Sequence, residues 1–157
     1  MSQASIQAAK TARQLVIGAM QSIPEEIYDI TPAGFNNTIR WNAGHMITTL
    51  DWFLSPGSPL LTKLPEGYSD LFKSGTKPSD WEGTPPSKAE LLQYLTAQLD
   101  DLSLIDPGLL ELPLKSPFEW GGLKFLTAGE VFSFAFIHEG LHLGVISSLV
   151  KAVLASK

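Results

Sequence analysis

Three histidines in this sequence, His45, His138 and His142, have a spacing that is typical of a metal site. His138 and His142 are four residues apart, which puts both imidazoles on one face of a helix. His45 can supply a third nitrogen from a facing helix. Because the chain has no cysteine, a metal would be bound through nitrogen or oxygen atoms. The histidines therefore predict a tripod with coordination positions left open for water or substrate.

The apolar residues around the histidines indicate that all three imidazoles point into a core. One helical stripe comprises Val131, Phe134, Ala135, His138, His142, Val145, Leu149 and Val153. A second stripe comprises Trp41, His45, Thr48 and Trp52. Buried imidazoles without polar partners are costly, and one shared metal would satisfy all three. For any single histidine the alternative stays open, since a core imidazole commonly bonds to a backbone carbonyl or to water.

The segment from His138 to His142 also matches the H-E-x-x-H motif of zinc peptidases, in which the glutamate is the general base. Such peptidases usually take a third ligand from a downstream Glu, His or Asp. No such residue follows His142, so the peptidase interpretation is disfavoured. Glu139 remains a candidate catalytic base, although a surface or helix-contact role is favoured. Because Glu139 is not needed for the three-nitrogen set, Glu139→Ala is expected to keep the metal.

Two residues one turn before His45 are candidates for a substrate pocket. Arg40 and Trp41 could flank its mouth and hold an anionic substrate by charge and stacking. The favoured alternative is a solvated arginine beside a core tryptophan.

Helical periodicity and capping residues predict four principal helices. They cover about 5–20, about 38–54 with a cap among Asn36, Asn37 and Thr38, about 88–103 after the capping box of Ser87 and Glu90, and 127 or 128 to about 155. Residues 55–86 contain six prolines, which predict a long structured loop with a short helical turn at 69–74. Residues 106–122 are also expected to be a loop. The prediction is one all-α domain, 1–157, an antiparallel four-helix bundle with a long crossover loop.

Composition excludes several classes of function. Apolar residues make up 44% and charged residues 17%, which is typical of a folded domain and not of a disordered chain. The net charge is −5 and no basic run is present, so no nucleic-acid partner is expected. The start of the chain lacks a signal-peptide pattern, which makes the cytoplasm the expected location. The apolar segment 131–154 contains His138, Glu139 and His142, so a buried helix is expected and no membrane partner.

Two sequence segments resemble the DinB-like or YfiT-like metal-binding helical bundles. They are GFNNTIRWNAGH, ending at His45, and GEVFSFAFIHEGLHLG, which contains His138 and His142. The resemblance implies that these three histidines bind a divalent metal such as zinc, nickel or iron. Val145 is a departure, because many relatives have glutamine there, and a polar contact behind the ligands is expected to be lost.

The same resemblance implies several further properties. Homodimers are frequent in the family, and some branches transfer or isomerise groups with a low-molecular-weight thiol, which makes a small thiol or electrophile a candidate partner. The family name records induction by DNA damage, so a role in stress response is expected. Two functions stay open: a metal-dependent transferase or hydrolase, and a non-catalytic metal-binding or scaffold bundle. A solvent-reachable pocket beside the histidines would favour the enzyme, and a closed site the scaffold.

Overall fold

The computed structural model describes residues 3–155, which are mostly helical. Within this range the helices are α1 (Gln3–Ser22), α2 (Ile39–Leu54), α3 (Tyr68–Phe72), α4 (Lys88–Leu104), α5 (Pro107–Leu110) and α6 (Ala128–Ala155). Strands β1 (Pro113–Trp120) and β2 (Leu123–Thr127) precede α6, and single 3-10 turns lie at Glu25–Ile27 and Pro78–Asp80. The predicted helical character is confirmed, whereas the two strands were not predicted.

Hydrogen bonds at the predicted caps explain where the long helices begin. The Thr38 hydroxyl accepts from the backbone N–H of Trp41 at 3.1 Å and starts α2. Ser87 and Glu90 form the predicted capping box of α4, each accepting a bond from the other's backbone N–H. Thr127 and Glu130 bond reciprocally in the same way and fix the entry of β2 into α6. Each cap satisfies N–H groups that the first helical turn leaves unpaired.

The four long helices pack in pairs, and their buried apolar side chains form two clusters. Helix α2 lies along α6, α1 lies along α4, and α1 and α2 also contact α6 and α4, respectively. The short helix α3, in the long loop, packs on α2. This close approach needs a glycine, because a Cβ atom at Gly44 would lie 2.5 Å from the Phe72 ring. The absence of a side chain at Gly44 thus lets α3 pack next to His45, the residue that follows Gly44 in the chain.

Residues 106–122 are not the predicted loop. They form α5 and β1, and β1 pairs antiparallel with β2 in a hairpin whose last pair is Trp120 and Leu123. The two-residue turn is Gly121–Gly122, and both glycines have positive φ angles, +54° and +83°. Such turns match the twist of paired strands and favour glycine. Most β1 side chains are exposed and Pro113 and Pro117 interrupt it, so its sequence has no clear strand alternation.

The helical stripes are largely buried as predicted, with informative exceptions. On α1 the apolar Leu15 is 60% exposed, while Arg13, two residues earlier, is fully buried. Trp52, expected inside the bundle, is 48% exposed. Helix α1 therefore turns a slightly different face to the core than its apolar residues suggested.

By length and composition alone, α6 would be able to cross a membrane. A helix packed inside a helical domain meets the same criterion, but only 28% of the most apolar stretch of α6 is buried, so the expected buried helix is only partly buried. Here α6 contacts α1, α2, α5 and both strands. It also carries the buried polar residues His138 and Glu139, which a lipid-facing span would hold at considerable cost.

Candidate metal centre

The fold brings the three predicted histidines together. His45 comes from α2, and His138 and His142 come from α6. One potential ligand nitrogen from each residue lies within 4.8 Å of the other two. Zinc–nitrogen bonds in a tetrahedral site hold ligand atoms about 3.4 Å apart, so side-chain adjustments on the order of 1 Å would close the site on a metal. The donor set and its spacing therefore fit a divalent cation.

The imidazole of His45 is oriented by α3. Its Nδ1–H donates to the backbone carbonyl of Phe72 at 2.6 Å, which leaves Nε2 as the ligand atom. On one face the ring stacks against Trp41, with centroids 4.6 Å apart and planes 12° apart. The Trp41 indole is held in turn by a bond from its Nε1–H to the Thr76 hydroxyl at 2.9 Å. The ring of His45 is therefore fixed before any metal binds.

The imidazole of His142 is oriented by a residue that the sequence did not suggest. Its Nδ1–H donates to the side-chain oxygen of Asn42 at 2.8 Å. The Asn42 amide donates to the carbonyl of Thr38 at 2.8 Å, which fixes which end of the amide faces the histidine. Asn42 thus supplies a polar contact behind a ligand, the kind of contact that Val145 was expected to remove. Its position three residues before His45 on the same helix was the signal in the sequence.

Burial keeps all three imidazoles uncharged. Desolvation, together with a smaller repulsion from neighbouring histidines, lowers the pKa of His138 to about 4 and that of His142 to about 3. Desolvation also lowers the pKa of His45, although its bond to the Phe72 carbonyl acts in the opposite direction. Neutral imidazole is the form that binds metals, so no proton has to be displaced at neutral pH.

We expect metal-free protein to lose stability as the pH falls below about 6.5. The unfolded chain protonates its histidines near their ordinary pKa of 6.5, whereas folded His138 and His142 stay neutral down to about 4 and 3. Between these values the unfolded state binds more protons, so the free energy of unfolding decreases with decreasing pH. Urea titrations across this range measure the effect. The His142→Ala variant should show a weaker dependence, and an equal dependence in the two proteins would contradict the assignment.

The structure separates the two residues predicted to flank a substrate pocket. Trp41 lines a cavity at the histidines. Arg40 does not, and its guanidinium instead donates to both carboxylate oxygens of Asp29, at 2.7 and 2.8 Å, and to the carbonyl of Pro86. The Arg40 guanidinium is thus held away from the cavity by these partners, and its side chain is buried, not solvated.

Glu139 points away from the histidines and into the core. Its carboxylate pairs with the guanidinium of Arg13, with contacts of 2.9 and 3.0 Å, and both side chains are almost completely buried. Arg13 also donates to Gln98, whose amide donates to the carbonyl of Ile47. This network joins α1, α2, α4 and α6. The helix-contact role expected for Glu139 agrees with its position, whereas the surface role does not.

A cavity of about 1250 Å³ opens beside the histidines. All three imidazoles line it, together with residues from α2, α6, the long loop and the end of β1. Its volume is sufficient for a small organic ligand. The lining residues nearest in sequence to the histidines are Trp41, Asn42, Thr48, Thr49, Leu141 and Val145.

The fold and the site together define a mostly helical protein with a buried three-histidine cluster that could hold a metal ion and that opens into a cavity. The family model of the DinB superfamily matches residues 8–146. The chain therefore belongs to the DinB superfamily. Among curated proteins, none matches this sequence significantly.

Proposed function

We propose that this protein binds one divalent metal ion through His45, His138 and His142. The observation that carries the proposal is the meeting of three neutral imidazoles, two of them oriented by hydrogen bonds, within 4.8 Å of one another at the wall of a cavity. Nitrogen-only ligation suits zinc, nickel, copper and ferrous iron, so the metal found would depend on supply. We further propose that α1, α2, α4 and α6 act as a four-helix bundle that holds the ligands rigidly, with α2 and α6 contributing them.

We propose that the bound metal serves catalysis, as a metal-dependent transferase or hydrolase. A divalent ion with open positions supplies Lewis acidity, which stabilises developing negative charge and lowers the pKa of a coordinated water or thiol. The protein's own contribution is orientation. Phe72 and Asn42 fix the imidazoles of His45 and His142, and Trp41 shields one side of the site. A low-molecular-weight thiol or an electrophile is the proposed substrate.

The alternative is a scaffold in which the metal only ties α2 to α6. A closed site would support it, because a structural metal is usually surrounded by protein atoms. The cavity supports the enzyme instead, since all three histidines line it and a ligand could reach them. Glu139 does not supply a general base for the enzyme, because its carboxylate is occupied by Arg13.

Elemental analysis of purified and reconstituted protein tests the metal. We expect about one divalent ion per chain, because the three nitrogens form one site. Absence of metal even after reconstitution would remove the proposal.

Turnover is tested with a panel of small thiols and electrophiles, comparing metal-loaded and chelator-treated protein. Metal uptake with no metal-dependent turnover across the panel would favour the scaffold.

A further inference from the structure

One wall of the cavity is aromatic and stands directly beside the histidines. Trp120, at the end of β1, has its ring centroid 6.1 Å from that of His138 and 5.2 Å from that of Phe134. Trp52, near the end of α2, packs against Phe118 of the same strand with centroids 4.9 Å apart. Both tryptophans line the cavity. We call Trp52 and Trp120, with the phenylalanines that support them, the aromatic wall.

The two indoles are held in position but are not covered. Trp52 is 48% exposed and Trp120 is 40% exposed, although each contacts a phenylalanine. Leu141 and Val145 of α6 also line the cavity and are exposed. Grouped apolar side chains that stay exposed in a concave surface are typical of a ligand-binding site. A fixed aromatic ring offers an apolar ligand a large contact area with little loss of side-chain entropy.

Apart from the proposed metal, the side-chain charges around the cavity balance and favour neither an anion nor a cation. Two acidic residues, Asp51 and Glu66, and two basic residues, Lys63 and Lys73, line it, so their formal charges balance. Lys73 is in addition paired with Asp70 at 2.7 Å. Uncharged polar side chains complete this part of the lining, among them Asn36, Asn37, Thr62 and Ser69. The cavity therefore combines an aromatic wall, a metal-ligand cluster and a polar surface of no net charge.

We propose that the cavity binds an uncharged small molecule whose aromatic ring packs against Trp52 and Trp120 while a nitrogen or oxygen donor atom reaches the metal on the histidines. This inference rests on the proposed metal binding and adds the substrate class. The aromatic wall selects the ligand by its ring, and the metal selects it by its donor atom. Trp120 belongs to β1, which carries no histidine ligand, whereas Trp52 shares α2 with His45.

Imidazole and 4-phenylimidazole, titrated into cobalt-loaded protein at mildly alkaline pH, test the proposal through the visible spectrum of the metal. Both offer the same donor, and only the second has a ring for the aromatic wall. We expect 4-phenylimidazole to bind about tenfold or more tightly, as the burial of roughly half a phenyl ring predicts. Trp120→Ala and Trp52→Ala should each reduce this ratio severalfold. Trp120→Leu, which keeps apolar bulk, serves if the alanine variant does not fold.

Leu104→Ala is the matched control, because Leu104 is an exposed apolar residue that does not line the cavity. Its ratio should equal that of the parent protein. A spectral response to imidazole with equal affinity for 4-phenylimidazole would overturn the aromatic wall while leaving the metal site intact. If cobalt is not taken up, the proposed function fails.

The aromatic wall is then tested on metal-free protein with the neutral dye N-phenyl-1-naphthylamine. If each of the two tryptophan variants binds the dye severalfold more weakly than the parent protein, the wall is supported. If they bind the dye as tightly as Leu104→Ala does, the wall is overturned.

Discussion

His142→Ala is expected to weaken metal binding by on the order of a thousandfold or more, since one of three ligands would account for about 4 kcal/mol of a typical zinc binding energy. The substitution removes half of the pair that α6 presents on one face, and it also leaves Asn42 without its imidazole partner. Competition with a chromophoric chelator measures the affinity. Asn42→Leu, which keeps the ligand but not its hydrogen bond, should cost about 10- to 100-fold.

Leu141→Ala provides the matched control for the ligand variant. It makes the same kind of truncation one residue away on α6, at an exposed side chain that also lines the cavity. Its metal affinity should stay within about threefold of the parent protein, because no ligand or hydrogen bond is lost. If His142→Ala bound metal as tightly as Leu141→Ala, the three-histidine site would be wrong.

Glu139→Ala is expected to reduce the free energy of unfolding by about 3–5 kcal/mol, because it leaves the Arg13 guanidinium buried without its counterion. Desolvation lowers the pKa of Arg13 and raises that of Glu139, while each partner's charge acts against the shift of the other. The pair is thus stable only while both members are present. Thermal and urea unfolding measure the loss.

Two further variants distinguish the cost of leaving Arg13 buried without a counterion from the effect of removing any carboxylate. Arg13→Met combined with Glu139→Leu should recover most of the stability, because apolar residues of similar size avoid the cost of burying charge. Glu119→Ala breaks an exposed pair with Lys124 and should change stability little. From the sequence, Glu139→Ala is expected to keep the metal. The metal content of this variant, measured below its melting temperature, tests that expectation. Parent-like stability of Glu139→Ala would contradict the buried pair.

The parts of the fold that could be predicted are those with strong local signals. Thr38 caps α2 and Ser87 caps α4 through contacts within one helical turn, so the sequence predicted the start of α4 and limited that of α2 to three candidate caps. His138 and His142 could be predicted to share a face because helix geometry is regular. That His45 meets them depends on tertiary packing, and here the resemblance to a known family supplied what periodicity could not.

The parts that could not be predicted depend on long-range contacts. The burial of Arg13 could not be predicted, because its partners Gln98 and Glu139 lie far from it in the chain. Strand β1 has few buried residues, so period-two alternation was absent, and only Gly121–Gly122 indicated a turn. Asn42 was missed because only one of its two partners, Thr38, is close to it in the sequence. The other partner, His142, is 100 residues away.

The glycine turn at Gly121–Gly122 has a consequence for how this protein can diversify. Both residues have positive φ angles, which other amino acids adopt at a cost. The two-residue turn pairs Trp120 with Leu123, and in this register Trp120 lines the cavity. The hairpin can nevertheless change length or side chains without altering α2 or α6, where the histidines are fixed. Changes in the hairpin can therefore alter the ligand preference of the cavity through Trp120, while the histidines on α2 and α6 are preserved.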